Sequence, residues 1–261
     1  ATNAVRRQLD TVTLESVFDP QFWKGLTFFA LVQPRGDILP VRTLYNDRST
    51  NIGVNPLTST QAIWFAGPDL VAATLLTGRP PKILRAIRVI PRGLQPGLKP
   101  VNLRGMVEID PRIQDFYKTV VEARAQAKID PRLTQSERDG LAGFLKILAN
   151  AGSYGLFVEV NARPSATGRR TPVAVFSGES AFHTTATVEE TPGTWYYPVL
   201  ASWITSGGRL LLAMLERLVT DAGGSYLFCD TDSMAVVASQ TGGPIPCPGG
   251  SHRLADERQA V

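Results

Sequence analysis

Ser225-Tyr226-Leu227-Phe228-Cys229-Asp230-Thr231-Asp232-Ser233-Met234-Ala235-Val236-Val237-Ala238 is the stretch on which the reading of this 261-residue chain turns. Two apolar runs flank a tight Asp-Thr-Asp-Ser, the pattern of a β-hairpin whose turn exposes two carboxylates, Asp230 and Asp232. Like charges a few Å apart raise each other's pKa unless a cation offsets them, so buried strands ending in bare Asp create a cost that a metal relieves. Hard carboxylate oxygens with open positions suit Mg²⁺ or Mn²⁺, which keep waters and bind substrate phosphates. Asp and Ser also make good turns in their own right. The neighbouring sequence therefore has to decide between the two readings.

Immediately upstream, Leu200 to Val219 reads as a long amphipathic helix with Ile204, Leu211, Leu215 and Leu218 toward a core, led in by Trp195 to Pro198 and stopped by Gly223-Gly224. Before it, Leu156 to Val160 reads as a strand, and the polar stretch Arg163 to Glu190 as a hairpin insertion ending at Pro192-Gly193. Further back lie two helical segments. Asp110-Pro111 opens the first, with Phe116, Val120, Val121 and Ala127 as its apolar positions, and Asp130-Pro131 breaks it. Thr134-Gln135-Ser136-Glu137 is a capping-box start for the second, in which Leu141, Phe144, Leu145 and Leu148 follow helical spacing until Gly152. Two such helices joined by a short Pro-containing turn make an antiparallel helical hairpin. Arg124 and Lys128 stand four apart on its first arm, Lys146 and Asn150 on its second, so each pair shares a face. Such a hairpin could grip a polyphosphate through charge-assisted bonds, although a solvated helix face has the same spacing.

The first hundred residues are an irregular α+β region punctuated by turn signals at Asp19-Pro20, Gln33-Pro34-Arg35-Gly36, Asn55-Pro56, Gly67-Pro68, Arg79-Pro80-Pro81 and Gln95-Pro96-Gly97. Leu26 to Val32 and Ile83 to Ile90 are apolar runs too short to assign by period, and Asp69 to Leu76 reads as a helix with an Asp N-cap and Gly78 behind it. Net charge is only +4, but Arg79 to Arg104 holds seven basic residues and no acid, a block able to track a phosphate backbone. Extended to Arg138 the block carries +7 and the remainder of the chain −3. Cys229 and Cys247 cannot build a disulfide framework, and with only two His there is no zinc pattern, so a reducing, cytoplasmic setting is expected. No unbroken apolar run reaches the roughly 18 residues of a spanning helix, and neither membrane nor secreted classes are expected.

Taken together, these residues resemble family B DNA polymerases. Tyr226 to Ser233 is similar to the family's third catalytic motif, an aromatic-rich strand followed by Asp-Thr-Asp-Ser. About 75 residues upstream, Lys146-Ile-Leu-Ala-Asn150-Ala-Gly-Ser-Tyr154-Gly155 resembles the second motif, Lys-x-x-x-Asn-Ser-x-Tyr-Gly, carried on the fingers. Arg124 and Lys128 correspond to the cationic pair on the other fingers helix, and the helix with Pro198, Ile204-Thr205 and Arg209 to the one preceding the third motif. Order and spacing agree over roughly Asp110 to Ala238. There are departures. Ala151 stands where the family usually has Ser, one extra residue separates Asn150 from Tyr154, and the first catalytic motif is missing upstream of the fingers. Its nearest candidate, Asp37-Ile-Leu-Pro-Val-Arg-Thr-Leu-Tyr45, places Tyr eight residues from Asp rather than five.

The resemblance implies an α+β fold, a polymerase palm sheet with a helical-hairpin fingers subdomain, within a fragment of a larger protein. Residues 1–109 would be a palm-associated or insertion region, 110–155 the fingers, and 156–261 the palm core with its metal-binding hairpin. It implies template-directed nucleotidyl transfer from dNTP to a primer 3′-hydroxyl on primer-template DNA, with two Mg²⁺ or Mn²⁺ ions in the complete enzyme. Asp232, with Asp230, would be metal ligands; Lys146 and Arg124 would bind triphosphate oxygens with Lys128 and Asn150 assisting, and Tyr154 would meet the nascent base pair. The segment alone is expected to be inactive. Two other readings stand beside this one: a nucleotide-sugar glycosyltransferase, in which an Asp-x-Asp also holds a divalent metal, and a noncatalytic nucleic-acid-binding relic of a polymerase.

Overall fold

Helices and strands alternate along the computed structural model, which describes all residues except 47–48, 91, 94, 165–167, 169, 178–179, 187, 231–232, 238–244, 247–253 and 256–261. In chain order the elements are α1 (Thr2–Asp10), α2 (Leu14–Phe18), α3 (Pro20–Lys24), β1 (Phe28–Gln33), β2 (Arg35–Asn46), β3 (Ser49–Thr58), β4 (Ile63–Ala66), α4 (Gly67–Thr77) and β5 (Lys82–Arg88). Then follow β6 (Val101–Leu103), β7 (Val107–Ile109), α5 (Phe116–Ile129), α6 (Gln135–Asn150), a π-helical turn (Ala151–Gly155), α7 (Leu156–Val158) and β8 (Val160–Pro164). The last are β9 (Thr171–Ser177), β10 (Ser180–Ala186), β11 (Val188–Pro192), α8 (Pro198–Asp221), β12 (Tyr226–Asp230), β13 (Ser233–Val236), β14 (Ile245–Pro246) and β15 (Leu254–Ala255). The fold class is thus mixed α and β. Two compact units divide the chain: the first takes Ala1–Val89, Arg170–Ala186 and Ser202–Val261, the second Ile90–Arg169 and Thr187–Ala201.

In the first unit a three-stranded antiparallel sheet runs in the order β4-β1-β5, so the two ambiguous apolar runs are strands and pair with each other. Phe28, Ala30 and Val32 of β1 are fully buried on one face, and their alternates Phe29, Leu31 and Gln33 lie on the other. Strict alternation along Lys82-Ile-Leu-Arg-Ala-Ile-Arg88 would turn Arg85 inward after Ile83. The register instead shifts between Leu31 and Val32, leaving Leu84 as an extra residue, so that Ile83 faces the core with Val32 and Ala86 with Ala30 while Arg85 pairs with Leu31. The free edge of β5 is covered by α1, whose Arg6 guanidinium donates twice to the Ile83 carbonyl and whose Thr2 hydroxyl accepts from the Ala86 amide.

Helix α4 is buried from Gly67 through Leu75, which fits a helix apolar all round. Its opening differs from the sequence expectation: Ala66 is the N-cap, and Asp69 lies inside the first turn with its side chain committed elsewhere. Gly67-Pro68 is a helix start rather than a turn, and Gly is required there because a Cβ would meet the Leu26 carbonyl oxygen at 2.5 Å. At the other end Gly78 adopts φ +69°, the left-handed cap expected of it. Asn55-Pro56 also proves not to be a turn. It lies within β3, where Pro56 pairs with Ile38 of β2. Every strand of a two-stranded ribbon is an edge strand, so a missing amide is tolerated.

From α8, Ser206, Leu210, Ala213 and Met214 are buried in this unit, with Val175 and Phe176 of β9. The face anticipated from Leu211, Leu215 and Leu218 is instead exposed, and only Ile204 is partly buried. By length and composition α8 is apolar enough to cross a membrane. Its stop is the expected one, the Gly223 and Gly224 amides donating to the carbonyls of Thr220 and Val219.

The second unit has its own core, built from Ile109, Val120, Ala127, Leu141 and Leu145 with Phe116, Phe144 and Leu148 packed against it. Helix α5 begins at the Asp115 cap rather than at Asp110-Pro111. The tetrapeptide Ile-Asp-Pro-Arg occurs at 109–112 and again at 129–132, and each copy folds alike, with the Arg guanidinium and amide both donating to the Asp carboxylate. Arg132 holds the Asp130 carboxyl down to about 2 through these bonds, and Arg112 lowers Asp110 in the same way. Because the folded value lies below the ordinary one, the stabilisation is complete above about pH 4 and is lost as pH falls through about 2. Arg132→Ala should return the Asp130 titration, followed by carboxyl NMR, to the ordinary carboxylate range; an unchanged midpoint would refute the assigned cause.

The capping box at Thr134 and Glu137 forms as expected and starts α6, which packs antiparallel on α5. Tyr117 ties the two helices at their far end by donating its hydroxyl to the Gly152 carbonyl at 2.5 Å. Leu156 to Val160, expected as a strand, opens instead with α7, which prolongs the helical path beyond the π-helical turn, and β8 starts only at Val160. The expected insertion hairpin is two hairpins, β8 paired with β11 and β9 paired with β10, the first pair in the second unit and the other in the first unit. Between β6 and β7, Arg104 at φ 54° stacks its guanidinium 4.5 Å from the Phe144 ring, pinning that small hairpin to α6.

Candidate functional site

Strands β12 and β13 form the expected antiparallel hairpin, with Cys229 opposite Met234 and the pairing closing at Asp230 and Ser233. The backbone of Asp230 thus ends β12, while Thr231 and Asp232 lie outside the described residues. The expectation of buried strands fails here: Leu227 is 72% exposed and Phe228 56%. Burial of the flanking strands therefore does not supply the desolvation from which a metal requirement was argued. What remains is the donor chemistry itself, the carboxylates of Asp230 and Asp232 separated by one residue in the sequence, which suits a hard divalent cation. Among the described residues no group of three or more His, Cys, Asp or Glu side chains gathers as a metal site.

Beside this hairpin, within the first unit, a cavity of about 530 Å³ is walled by apolar side chains of β2, β3 and α4 and by Asp69, Arg209, Glu216, Tyr226 and Cys229. Arg209 of α8 grips Asp69 of α4 in a bidentate pair, Nε to Oδ1 at 2.7 Å and Nη2 to Oδ2 at 3.0 Å. Burial pushes the Asp69 carboxyl up, opposed by the hydrogen bonds and charge of Arg209. Burial likewise raises Glu216. The charge of Glu216, and then burial, raises the Tyr226 phenol, while burial and then Glu216 raise the Cys229 thiol. Asp69 is thus an ion-pair partner rather than the N-cap expected of it, and Glu216 carries no expectation from the sequence. The available signal was an acidic residue in a segment otherwise apolar all round, which demands a partner.

Arg124 and Lys128 lie on α5, and Lys146 and Asn150 on α6, both helices of the second unit. Lys128 and Lys146 are exposed with no hydrogen-bond or ion-pair partner among the described residues. Arg124 is partly buried, and its Nε is enclosed without a hydrogen-bond partner. Asn150 ends α6. Directly after it the π-helical turn contains Tyr154, 41% exposed. A π turn arises when one extra residue enters a helix, and such turns recur at functional positions. The extra residue between Asn150 and Tyr154 noted in the sequence is therefore taken up inside the helical path.

Asp37, the nearest candidate for a first catalytic Asp, has a structural role. It is fully buried near the start of β2, accepts from the Arg35 amide at 2.7 Å and has Arg79 at 3.5 Å. The basic block from Arg79 to Arg104 is divided between the units: Arg79, Lys82, Arg85 and Arg88 in the first, Arg92, Lys99 and Arg104 in the second. Compared with protein-family models, with curated proteins and with solved structures, the chain finds no match.

Proposed function

We propose that this chain carries the metal-binding and nucleotide-binding parts of a family B-like DNA polymerase. The observation that carries the reading is the antiparallel register of β12 and β13, which closes on Asp230 and Ser233 directly after a long helix, within the sequence Asp-Thr-Asp-Ser. The helical hairpin, with Lys128 and Lys146 unpaired among the described residues, and the π turn at the motif's extra residue support it further. Asp232 and Asp230 would hold Mg²⁺ or Mn²⁺, which when bound lowers the pKa of a primer hydroxyl and neutralises phosphate charge. Lys146 and Arg124 donate to triphosphate oxygens as charge develops on the leaving pyrophosphate, and Lys128 and Asn150 orient that group. Tyr154 offers its ring to the incoming base pair.

Primer extension with Mg²⁺ on a primed template, using the product of the complete reading frame, tests this. Template-dependent dNTP incorporation is expected, and its absence alongside UDP-sugar turnover would transfer the assignment to the glycosyltransferase reading. Salt-sensitive DNA binding without metal dependence would leave only a binding relic. Lys146→Ala should raise KM for dNTP by about 10-fold or more, the loss of one charge-assisted phosphate contact, while leaving DNA affinity within about twofold. Equal losses in both would count against the role assigned to Lys146.

A further inference from the structure

The face of the β4-β1-β5 sheet turned away from the core has a chemistry that the proposed reaction does not use. Cross-strand register aligns Trp64, Leu31 and Arg85 in one row across it, with Ala66, Phe29 and Ile87 in the next row of the same face and Gln33 beside Lys82 on the other side. Trp64 is 42% exposed and Ile87 48%. Phe29 is stacked by Trp203 of α8 at 5.4 Å, so the open part of the face is the Trp64 to Arg85 row and the Lys82 end. The three strands hold no Asp or Glu. Neither Lys82 nor Arg85 has a hydrogen-bond or ion-pair partner among the described residues. Lys82 further borders a cleft of about 270 Å³ that it shares with Arg6, Arg35 and one acid, Asp10.

An exposed indole with unpaired cations two strands away is the combination that captures an unpaired nucleotide: the base stacks on the ring and the phosphates meet the cations. Two strand spacings separate Trp64 from Arg85 by about 10 Å, a gap that an Arg side chain and a ribose-phosphate together span. A base inside a duplex is already stacked on both faces, so the indole selects for a single strand. The β-bulge at Leu84 is what turns Arg85 to this face, and without it the row would lose its cation. We propose that the Trp64-Leu31-Arg85 row, continued by Lys82, is a binding platform for single-stranded nucleic acid. It rests on stacking and charge alone and needs neither the metal chemistry nor the dNTP-binding residues described above.

Fluorescence anisotropy of labelled oligo(dT) and oligo(U), measured on this chain in EDTA without nucleotide over a series of KCl concentrations, tests the platform. Trp64→Ala should raise Kd for at least one of the two by about 10-fold or more, Trp64→Phe should keep most of the affinity, and Arg85→Gln should reduce the slope of log K against log salt by about 0.7. Trp64 is a little more than half covered, so Trp64→Ala should lower the unfolding temperature while Arg85→Gln leaves it unchanged, and binding is compared at a temperature at which every variant is folded. A blunt duplex should compete less well than either single strand. The proposal is overturned if neither oligonucleotide binds, if Trp64→Ala binds like the wild type, or if the duplex competes equally. With metal and dNTP excluded, failure of the polymerase assay has no bearing on this result.

Discussion

Asp232→Ala should abolish template-directed incorporation, lowering it by about 10³-fold or more, because the substitution removes a hard ligand from a centre that supplies several kcal/mol of transition-state stabilisation. Primer extension under single-turnover conditions, with DNA affinity measured in parallel, separates this loss from misfolding or weakened binding. Asp230→Ala should fall in the same direction with a smaller effect, since Asp232 is the first ligand under the proposed reading. DNA affinity should stay within about twofold in both, as neither carboxylate is assigned a contact with the phosphate backbone. Retention of wild-type incorporation by Asp232→Ala would sink the assignment of this hairpin as the metal site, whatever else the chain does.

The second large effect concerns stability. Asp69 is 4% exposed, and its bidentate partner Arg209 comes from a helix 140 residues later in the chain, so the pair ties α4 to α8 inside the first unit. Removing one member of such a pair leaves the other charge buried and uncompensated. Arg209→Ala or Asp69→Ala should therefore cost about 3 kcal/mol in urea unfolding. Replacing both by apolar residues of similar volume, Asp69→Leu with Arg209→Met, should recover most of the loss, because desolvating the ions offsets much of their attraction. Since burial raises Asp69 above 3.8, the folded state binds its proton more tightly than the unfolded chain. Its contribution from protonation is greatest below that pH and is lost as pH rises through the folded value; Asp69→Asn should remove that slope. A cost under about 1 kcal/mol for either single substitution would show that the pair is not what joins the two helices.

Local signals are legible where the physics is local. The Thr134 capping box, the Asp130-Pro131 break, Gly78 behind α4 and Gly223-Gly224 behind α8 depend on a few neighbouring backbone groups, and each is found where its residues lie. The hairpin around Asp230 was legible for the same reason, its register being set by a short turn between apolar runs. Phase and partnership were not legible. Helix α8 has apolar residues around most of its circumference, so periodicity could not choose between a face through Leu211 and Leu215 and the face through Leu210 and Met214 that is buried. Nothing in Leu156 to Val160 reveals that the helix before it runs on through a π turn, because an apolar run that short serves either structure.

The amino-acid sequence by itself determined the antiparallel α5–α6 hairpin, the spacing of its cations and the antiparallel pairing of β12 with β13, all of which follow from interactions within a few residues. Tertiary structure alone decided that Asp69 is one half of a buried ion pair, that Asp37 lies buried beside Arg79 and that a one-residue bulge turns Arg85 to the solvent face beside Trp64. Each of these depends on the other side of a sheet or on a helix far along the chain. The free energy of burying a charge, or of choosing one face of a strand, is set by those distant neighbours and has no counterpart in the local sequence.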